Sequence, residues 1–279
     1  MGVLLALAAA AAYGLSDFVG GVAARRSSAW PVALLSQVGG LAGATVLALA
    51  LAGDPTGADL GWGALAGTGA GMGTVFLYRG FAGGRMGVVA PVSAVGAAIV
   101  PVVVGVTVGE RPAPLVWLGI VLALPAIWLV ARVPDAGLST DESDAAALRD
   151  GVLAGVGFGL LFVAMGQVPE GSGYWPLAVA QVTALGAIVL GALVTREAWL
   201  PRLRAELWGV VAGLLASAAV LAFLLASQRG LLAVAAVLTS LYPAFTVLLA
   251  TAALREHVYR TQAIGLVLSG FAVALVASG

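Results

Sequence analysis

Asp17 sits where its charge demands an explanation. It is the one charged residue in an apolar run over residues 3–24. Such a run is long enough to cross a bilayer, which takes roughly 17–25 residues. Asp17 falls about four residues from the middle of the run, hence on the order of 6 Å off-centre along a helix axis. A carboxylate at that depth costs several kcal/mol unless it is paired, hydrated or protonated. That is the state a proton-coupling or cation-binding group occupies. The alternative is structural: Asp17 caps a local turn or pairs with Arg25, Arg26 or Arg79. Tyr13 and Ser16 lie one turn away on overlapping helix faces.

Other polar side chains sit at similar depths in other apolar runs. Gln37, Tyr78 and Ser93 are in the first half of the chain; Gln181, Thr183, Gln228, Thr239, Ser240 and Tyr242 are in the second. An unpaired amide or hydroxyl is costly in hydrocarbon, so these groups point inward. For any one of them, inward can mean a bond to a neighbouring helix, a common form of interhelical glue. As a set drawn from both halves, they outline a solute cavity.

The elements that must position these residues are membrane helices. The chain has 279 residues, of which 61% are hydrophobic and 9% charged. Soluble domains carry about 25% charged residues. Apolar runs near residues 3–24, 30–52, 61–81, 86–108, 115–131, 150–168, 174–195, 205–228, 231–253 and 260–278 predict ten crossings. All seven tryptophans fall at or near the ends of these runs, the depth their amphipathic rings prefer. Pro91 and Pro101 lie inside the fourth run and Pro243 inside the ninth, and each predicts a bend. Glycine is abundant, and Gly39-x3-Gly43, Gly67-x3-Gly71 and Gly151-x3-Gly155-x3-Gly159 carry the spacing of close helix contacts.

The chain repeats itself. Aligning Glu110 with Glu256 also aligns Gly119 with Gly265, Ser93 with Thr239 and Ala94 with Ser240. Tyr13-Gly14 falls on Phe158-Gly159, and Trp30-Pro31 on Trp175-Pro176. The expected organisation is a first repeat over 1–131, a polar linker over 132–149 and a second repeat over 150–279. Five crossings is an odd number, so the second repeat inserts upside down relative to the first, the plan of many secondary transporters. The expected fold is an all-α membrane protein of ten helices in two inverted five-helix repeats.

Four stretches carry a family resemblance: YGLSDFVGG at Tyr13–Gly21, VAPVSA at Val89–Ala94, GERP at Gly109–Pro112 and AAVLTSLYPAF at Ala235–Phe245. In this order, together with the duplication, they resemble the drug/metabolite transporter superfamily, in particular its EamA-type members with ten helices. The resemblance spans essentially the whole chain. It implies alternating-access transport of a small organic solute such as a metabolite, amino acid or drug-like compound, with export favoured. Substrates vary within the superfamily, so the resemblance specifies mechanism more than cargo. It also implies that Glu110 and Glu256 form a matched pair at equivalent turns. Physically, both are turn residues near helix starts, where a negative charge meets the positive dipole end.

Arginine placement gives an orientation. Arg25, Arg26, Arg79, Arg85, Arg132, Arg149, Arg196, Arg202, Arg204, Arg255 and Arg260 fall on one side, and Arg111 and Arg229 on the other. The positive-inside rule places the first set in the cytoplasm and both termini outside, whereas the resemblance implies cytoplasmic termini. The setting is a plasma (inner) membrane, and the protein is a monomer or homodimer. Cysteine is absent, which excludes disulfides and thiolate sites, and the single histidine, His257, has no metal-ligand partners at a useful spacing. No Walker, zincin or nucleophile-elbow motif is present, so no ATP site, cofactor, metal or enzyme is expected. No basic run points to nucleic acid. The readings that compete with solute export are a cation-coupled sugar or nucleobase importer and an intramembrane enzyme or receptor-like scaffold.

Overall fold

The structure is a computed structural model that describes residues 1–82, 86–132, 141–255 and 257–279. Arg85, Glu256 and the first part of the expected linker, 133–140, lie outside the described residues. Lipid offers no hydrogen bonds to a bare backbone, and the described residues accordingly form helices joined by short connections. They are α1 (Gly2–Ala24), α2 (Ala29–Ala50), α3 (Gly57–Ala82), α4 (Met86–Thr107), α5 (Pro114–Ala131) and α6 (Asp141–Met165). After these come α7 (Trp175–Thr195), α8 (Trp208–Ser227), α9 (Leu232–Thr239), α10 (Tyr242–Leu254) and α11 (Arg260–Ser278). α9 and α10 together make the ninth crossing.

Among the described residues, nine segments are long and apolar enough to cross a membrane. The tenth crossing is α3. It has the length, at 26 residues, but glycine takes the place of larger apolar side chains along it. The reason lies in what it touches. α3 is wedged against α6 and α7, where its glycines meet backbone directly. A Cβ on Gly67 would stand 1.9 Å from the Ala180 carbonyl oxygen, and one on Gly63 would stand 2.2 Å from that of Pro176.

The helix contacts map onto themselves when the halves are exchanged. α3 packs on α6 and α7; α8 packs on α1 and α2. α4 packs on α6; α9 and α10 pack on α1. α2 meets α7, α4 meets α9, and α5 meets α11 across the axis. In the α5–α11 pair, Gly119 abuts Ala272 and Val276, while its counterpart Gly265 abuts Ala126 and Val130. The register that lays Gly119 on Gly265 also lays Ala126 on Ala272 and Val130 on Val276, so the two contacts are one contact seen twice. This is the pattern of two inverted five-helix repeats. The glycine spacings noted above all lie at such seams. Gly39 and Gly43 approach α8, Gly67 and Gly71 approach α7, and Gly151, Gly155 and Gly159 approach α4.

Three expectations change. α6 begins at Asp141, so its first turns take up the second part of the expected linker; Ala145, Ala146, Ala147, Leu148 and Arg149 are strong helix formers and carry the helix out past the apolar run. α4 runs unbroken through Pro91 and Pro101, whereas the ninth crossing breaks at Ser240–Leu241, just before Pro243. Trp30 departs from the interfacial pattern, since it is buried and packs edge-on against Tyr78 at 6.0 Å.

The seams give a direct test. Gly67→Ala places a methyl where the Ala180 carbonyl and Thr183 hydroxyl already stand, and overpacking costs about 1–3 kcal/mol or more. A Cβ on Gly61 meets nothing within 4 Å, and Gly→Ala within a helix gains up to about 1 kcal/mol. In detergent, thermal unfolding is expected to fall for Gly67→Ala and to hold or rise for Gly61→Ala. Equal effects of the two substitutions would contradict the seam.

Candidate functional site

The site is built where α1 passes the break between α9 and α10. Gly14 lets the helices touch there: a Cβ on it would lie 2.5 Å from Phe245 Cβ and 2.9 Å from the Tyr242 carbonyl oxygen. The Thr246 hydroxyl donates to the Gly14 carbonyl at 3.3 Å. This contact fixes Tyr13 beside Tyr242, with ring centroids 6.0 Å apart and planes tilted by 52°. On its other side Tyr13 meets Phe162 of α6 edge-on at 6.4 Å, and Phe162 stacks on Phe223 of α8 at 4.6 Å.

At the break, Pro243 has no N–H, so the Thr239 carbonyl loses the partner it would have in a continuous helix. The Leu241 N–H tightens back onto Leu238 O at 3.2 Å. Backbone of this kind is tolerated at membrane depth only when buried in protein or lining a cavity. Here the first condition is met. Thr239 and Ser240 are fully buried, and the Ser240 and Tyr13 hydroxyls have no hydrogen-bond partner among the described residues.

Asp17 lies one turn beyond Tyr13. Its side chain is exposed, although the helix that carries it is long and apolar enough to cross a membrane. It is close enough for its charge to act on Tyr13, Tyr78 and Tyr242, which belong to α1, α3 and α10. Accessibility along this face of α1 runs one way. Ala6, Ala9 and Ala10 are fully buried, whereas Asp17, Gly21 and Arg25 are exposed. This face of α1 is therefore open toward its C-terminal end, the arginine-rich side. Toward the other side the path is filled by Phe162, Met165, Phe223 and Leu224, all buried.

The structural alternative for Asp17 loses its Arg79 partner. Arg79 reaches from α3 to Asp150 of α6 in a two-pronged pair, its Nε donating to Oδ2 at 3.0 Å and Nη2 bonding Oδ1, with the guanidinium 4.7 Å over the Phe76 ring. Among the described residues no ion pair reaches Asp17.

The remaining expected residues divide. Tyr13 and Tyr242 pack together one turn from Asp17, Ser240 lies at the break just before Tyr242, and Tyr78 is within reach of the Asp17 charge. Ser16 donates to the Ala212 carbonyl at 2.8 Å and Ser93 to that of Ala90 at 2.9 Å. Thr239 reaches the Ala6 carbonyl at 3.5 Å, and Thr183 reaches that of Ala64 at 3.1 Å. These four hydroxyls are spent on helix backbone. Gln181 lies in the notch left by Gly40, whose Cβ would stand 2.3 Å from its Nε2; Gln37 is half-buried on the same helix as Gly40. Gln228 is outside the site. It follows α8 at the opposite mouth, donates to the Val168 carbonyl at 3.0 Å, and lines a separate hollow of about 350 Å³ with Glu170 and Arg229. A second hollow, about 410 Å³, lies between α1 and α10 but is wholly apolar, bounded by Ala11, Leu15 and Phe245 on the far side of the Gly14 contact, and reads as lipid space.

One positioning residue acts across the halves. Glu110 follows α4 and was expected near a helix start; the start it serves is that of α9. Its Oε2 accepts from Ala233 N–H at 3.0 Å and its Oε1 from Leu232 N–H. Gly105 leaves room for the carboxylate, since a Cβ there would stand 2.3 Å from Oε2. Glu110 thus anchors the short helix that ends at the site.

Residues 151–278 match the EamA-like transporter family. That match lies in the second half of the chain and supports a place in the drug/metabolite transporter superfamily. Its whole length also superposes on a solved structure titled only "Crystal structure of protein", with a TM-score of 0.74, 18% identity, and coverage of 99% of this chain and 96% of that one. That likeness concerns the fold alone. No curated protein matches the chain in sequence. An EamA-like protein with these helices is a multi-pass membrane transporter of small solutes.

The transporter's cross-repeat cap is testable. Glu110→Ala removes two charge-assisted bonds to the start of α9 and is expected to cost about 1–2 kcal/mol. Glu110→Gln, which keeps an acceptor, should lose less. Melting temperatures in detergent should therefore rank wild type above Gln and Gln above Ala; an Ala variant as stable as wild type would remove Glu110 from this role.

Proposed function

We propose that this transporter is a secondary, alternating-access exporter of small organic cations, with Asp17 as the counter-charge. The observation that carries the reading is an accessible carboxylate in a membrane-crossing helix, with no ion pair to it among the described residues and three tyrosines within reach of its charge. An aromatic ring within about 6 Å of a cation contributes roughly 0.5–2 kcal/mol, more as the site dries. Arg79, one of the arginines that could have paired with Asp17, is held by Asp150. The one-sided accessibility of Asp17 supports a state open to the arginine-rich, cytoplasmic side, with the aromatic and aliphatic plug of α6 and α8 closing the other.

A second reading uses the same residue differently. Asp17 would carry a coupling proton or cation while a neutral sugar or nucleobase binds nearby. Proteoliposomes separate the two. With tetraethylammonium as probe, wild type is expected to bind and move the cation, and Asp17→Asn to lose affinity by at least tenfold, about 1.4 kcal/mol. If Asp17→Asn instead leaves a neutral solute bound but removes the dependence of its transport on a pH gradient, the coupled-importer reading replaces the first. A folded Asp17→Asn protein with wild-type cation response and wild-type pH dependence ends both.

A further inference from the structure

The connection from α7 to α8, residues 196–207, has a structure that the transport site does not explain. Arg196 ends α7 in the left-handed region, at φ 58°, which turns the chain off the helix axis. Trp199 then tucks against the cluster formed by Trp30, Ala33, Ile188 and Ala192. A 3₁₀ turn, Arg204–Leu207, follows and packs on the ends of α1, α2 and α8. Glu206 organises this turn. It is 3% exposed, and its carboxylate accepts the backbone N–H groups of Arg202 (2.5 Å) and Leu203 (2.8 Å).

The acid of the turn is thus turned inward and occupied by backbone. What faces outward is basic and apolar together. Arg196, Arg202 and Arg204 are exposed, and none is in an ion pair among the described residues. Between and beside them Leu200, Leu203, Leu207 and Trp208 stand 51–59% exposed. Arg26 at the end of α1 is also exposed on this side, and Glu197 is the exposed acid of the loop. Leucines in water would be a liability, but here they sit at the start of a membrane-crossing helix, the depth at which Trp and Arg meet headgroups. Guanidinium groups beside a row of leucines match one occupant: a phosphate bearing acyl chains.

We propose that the Arg196–Trp208 connection is a docking site for an anionic phospholipid of the adjoining leaflet. Arg202 and Arg204 hold the headgroup phosphate, Arg196 adds charge, and Leu200, Leu203, Leu207 and Trp208 cover the upper acyl chains. Arginine suits this role because its fork of donors fits phosphate oxygens. The proposal stands apart from the reading of Asp17, since it uses no residue of the transport site.

The test uses the full chain, delipidated in a neutral detergent and titrated with dioleoylphosphatidylglycerol or dioleoylphosphatidylcholine, with bound lipid counted by native mass spectrometry. Wild type is expected to retain phosphatidylglycerol in preference to phosphatidylcholine. Each juxtamembrane basic residue contributes about 1 kcal/mol toward an anionic surface, so Arg202→Gln with Arg204→Gln should weaken phosphatidylglycerol binding by about thirtyfold. Arg202→Lys with Arg204→Lys keeps the charge and should lose only a few-fold. Equal retention of the two lipids, or an unchanged double Gln variant, would overturn the site. Inorganic phosphate at millimolar concentration is expected to leave the lipid in place; if it displaces the lipid fully, the loop is an anion site and the proposal fails.

Discussion

In hydrocarbon, apolar side chains gain little by exchanging lipid for protein, so two helices hold together by fitting closely. In this transporter that fit is made through glycine set against backbone. Gly213 stands against the Ser36 carbonyl, Gly67 against that of Ala180, and Gly155 and Gly96 against each other. These seams run between repeats, not within them: α3 with α6 and α7, α8 with α1 and α2, α4 with α6. The halves are therefore interleaved, and every residue of the site is held by a helix whose principal neighbours belong to the other half. Close approach also explains why α3 is the least apolar crossing. A helix surrounded by protein needs little greasy surface; it needs room.

Against that shared framework the two halves differ where the site lies. α4 keeps a continuous helix through two prolines, while its counterpart is divided into α9 and α10 at Ser240–Leu241. The difference has local causes. α4 is clasped along its length by Gly151, Gly155 and Gly159 of α6. α1 offers the ninth crossing one comparable notch, at Gly14. Above the break Glu110 fixes the start of α9; below it Thr246 ties α10 to Gly14. The break thus falls between two anchored pieces, and its freed carbonyl and unpartnered Ser240 hydroxyl are left beside Tyr13 and Tyr242.

Much of this was legible in the sequence, for definable reasons. Hydropathy gives crossings because lipid enforces it. The repeat was readable because matched turns and glycines keep their spacing. Asp17 stood out because one charge in an apolar run has few explanations. Side-chain direction was harder to read. In a soluble helix the polar face marks the outside, but α1 and α8 are apolar all round, so nothing in the pattern says which way Ser16 or Gln228 turns. Ser16 and Thr239 proved to be bonds to neighbouring backbone, and Gln228 belongs to the far mouth because it lies past the end of α8. Proline count did not say which crossing breaks, for a similar reason: whether a helix breaks depends on what grips it on either side. Glu110 was legible as a cap, but its recipient was not, since the pairing joins turns more than a hundred residues apart.

A bare carboxylate also constrains how such a molecule changes state. While that face of α1 is open, water screens Asp17, and the charge costs little. Closing that side transfers the carboxylate into a drier space lined by tyrosine rings, at a cost of several kcal/mol if it stays charged and alone. Arg79 does not follow it inward, since it is bound to Asp150 within α6. On the proposed reading, the empty, ionised site would resist closure, and the site neutralised by a proton or a cation would not. Two-state motion and cargo would then be linked without a separate gate, because the same charge that selects what enters would set the energy of moving with nothing aboard.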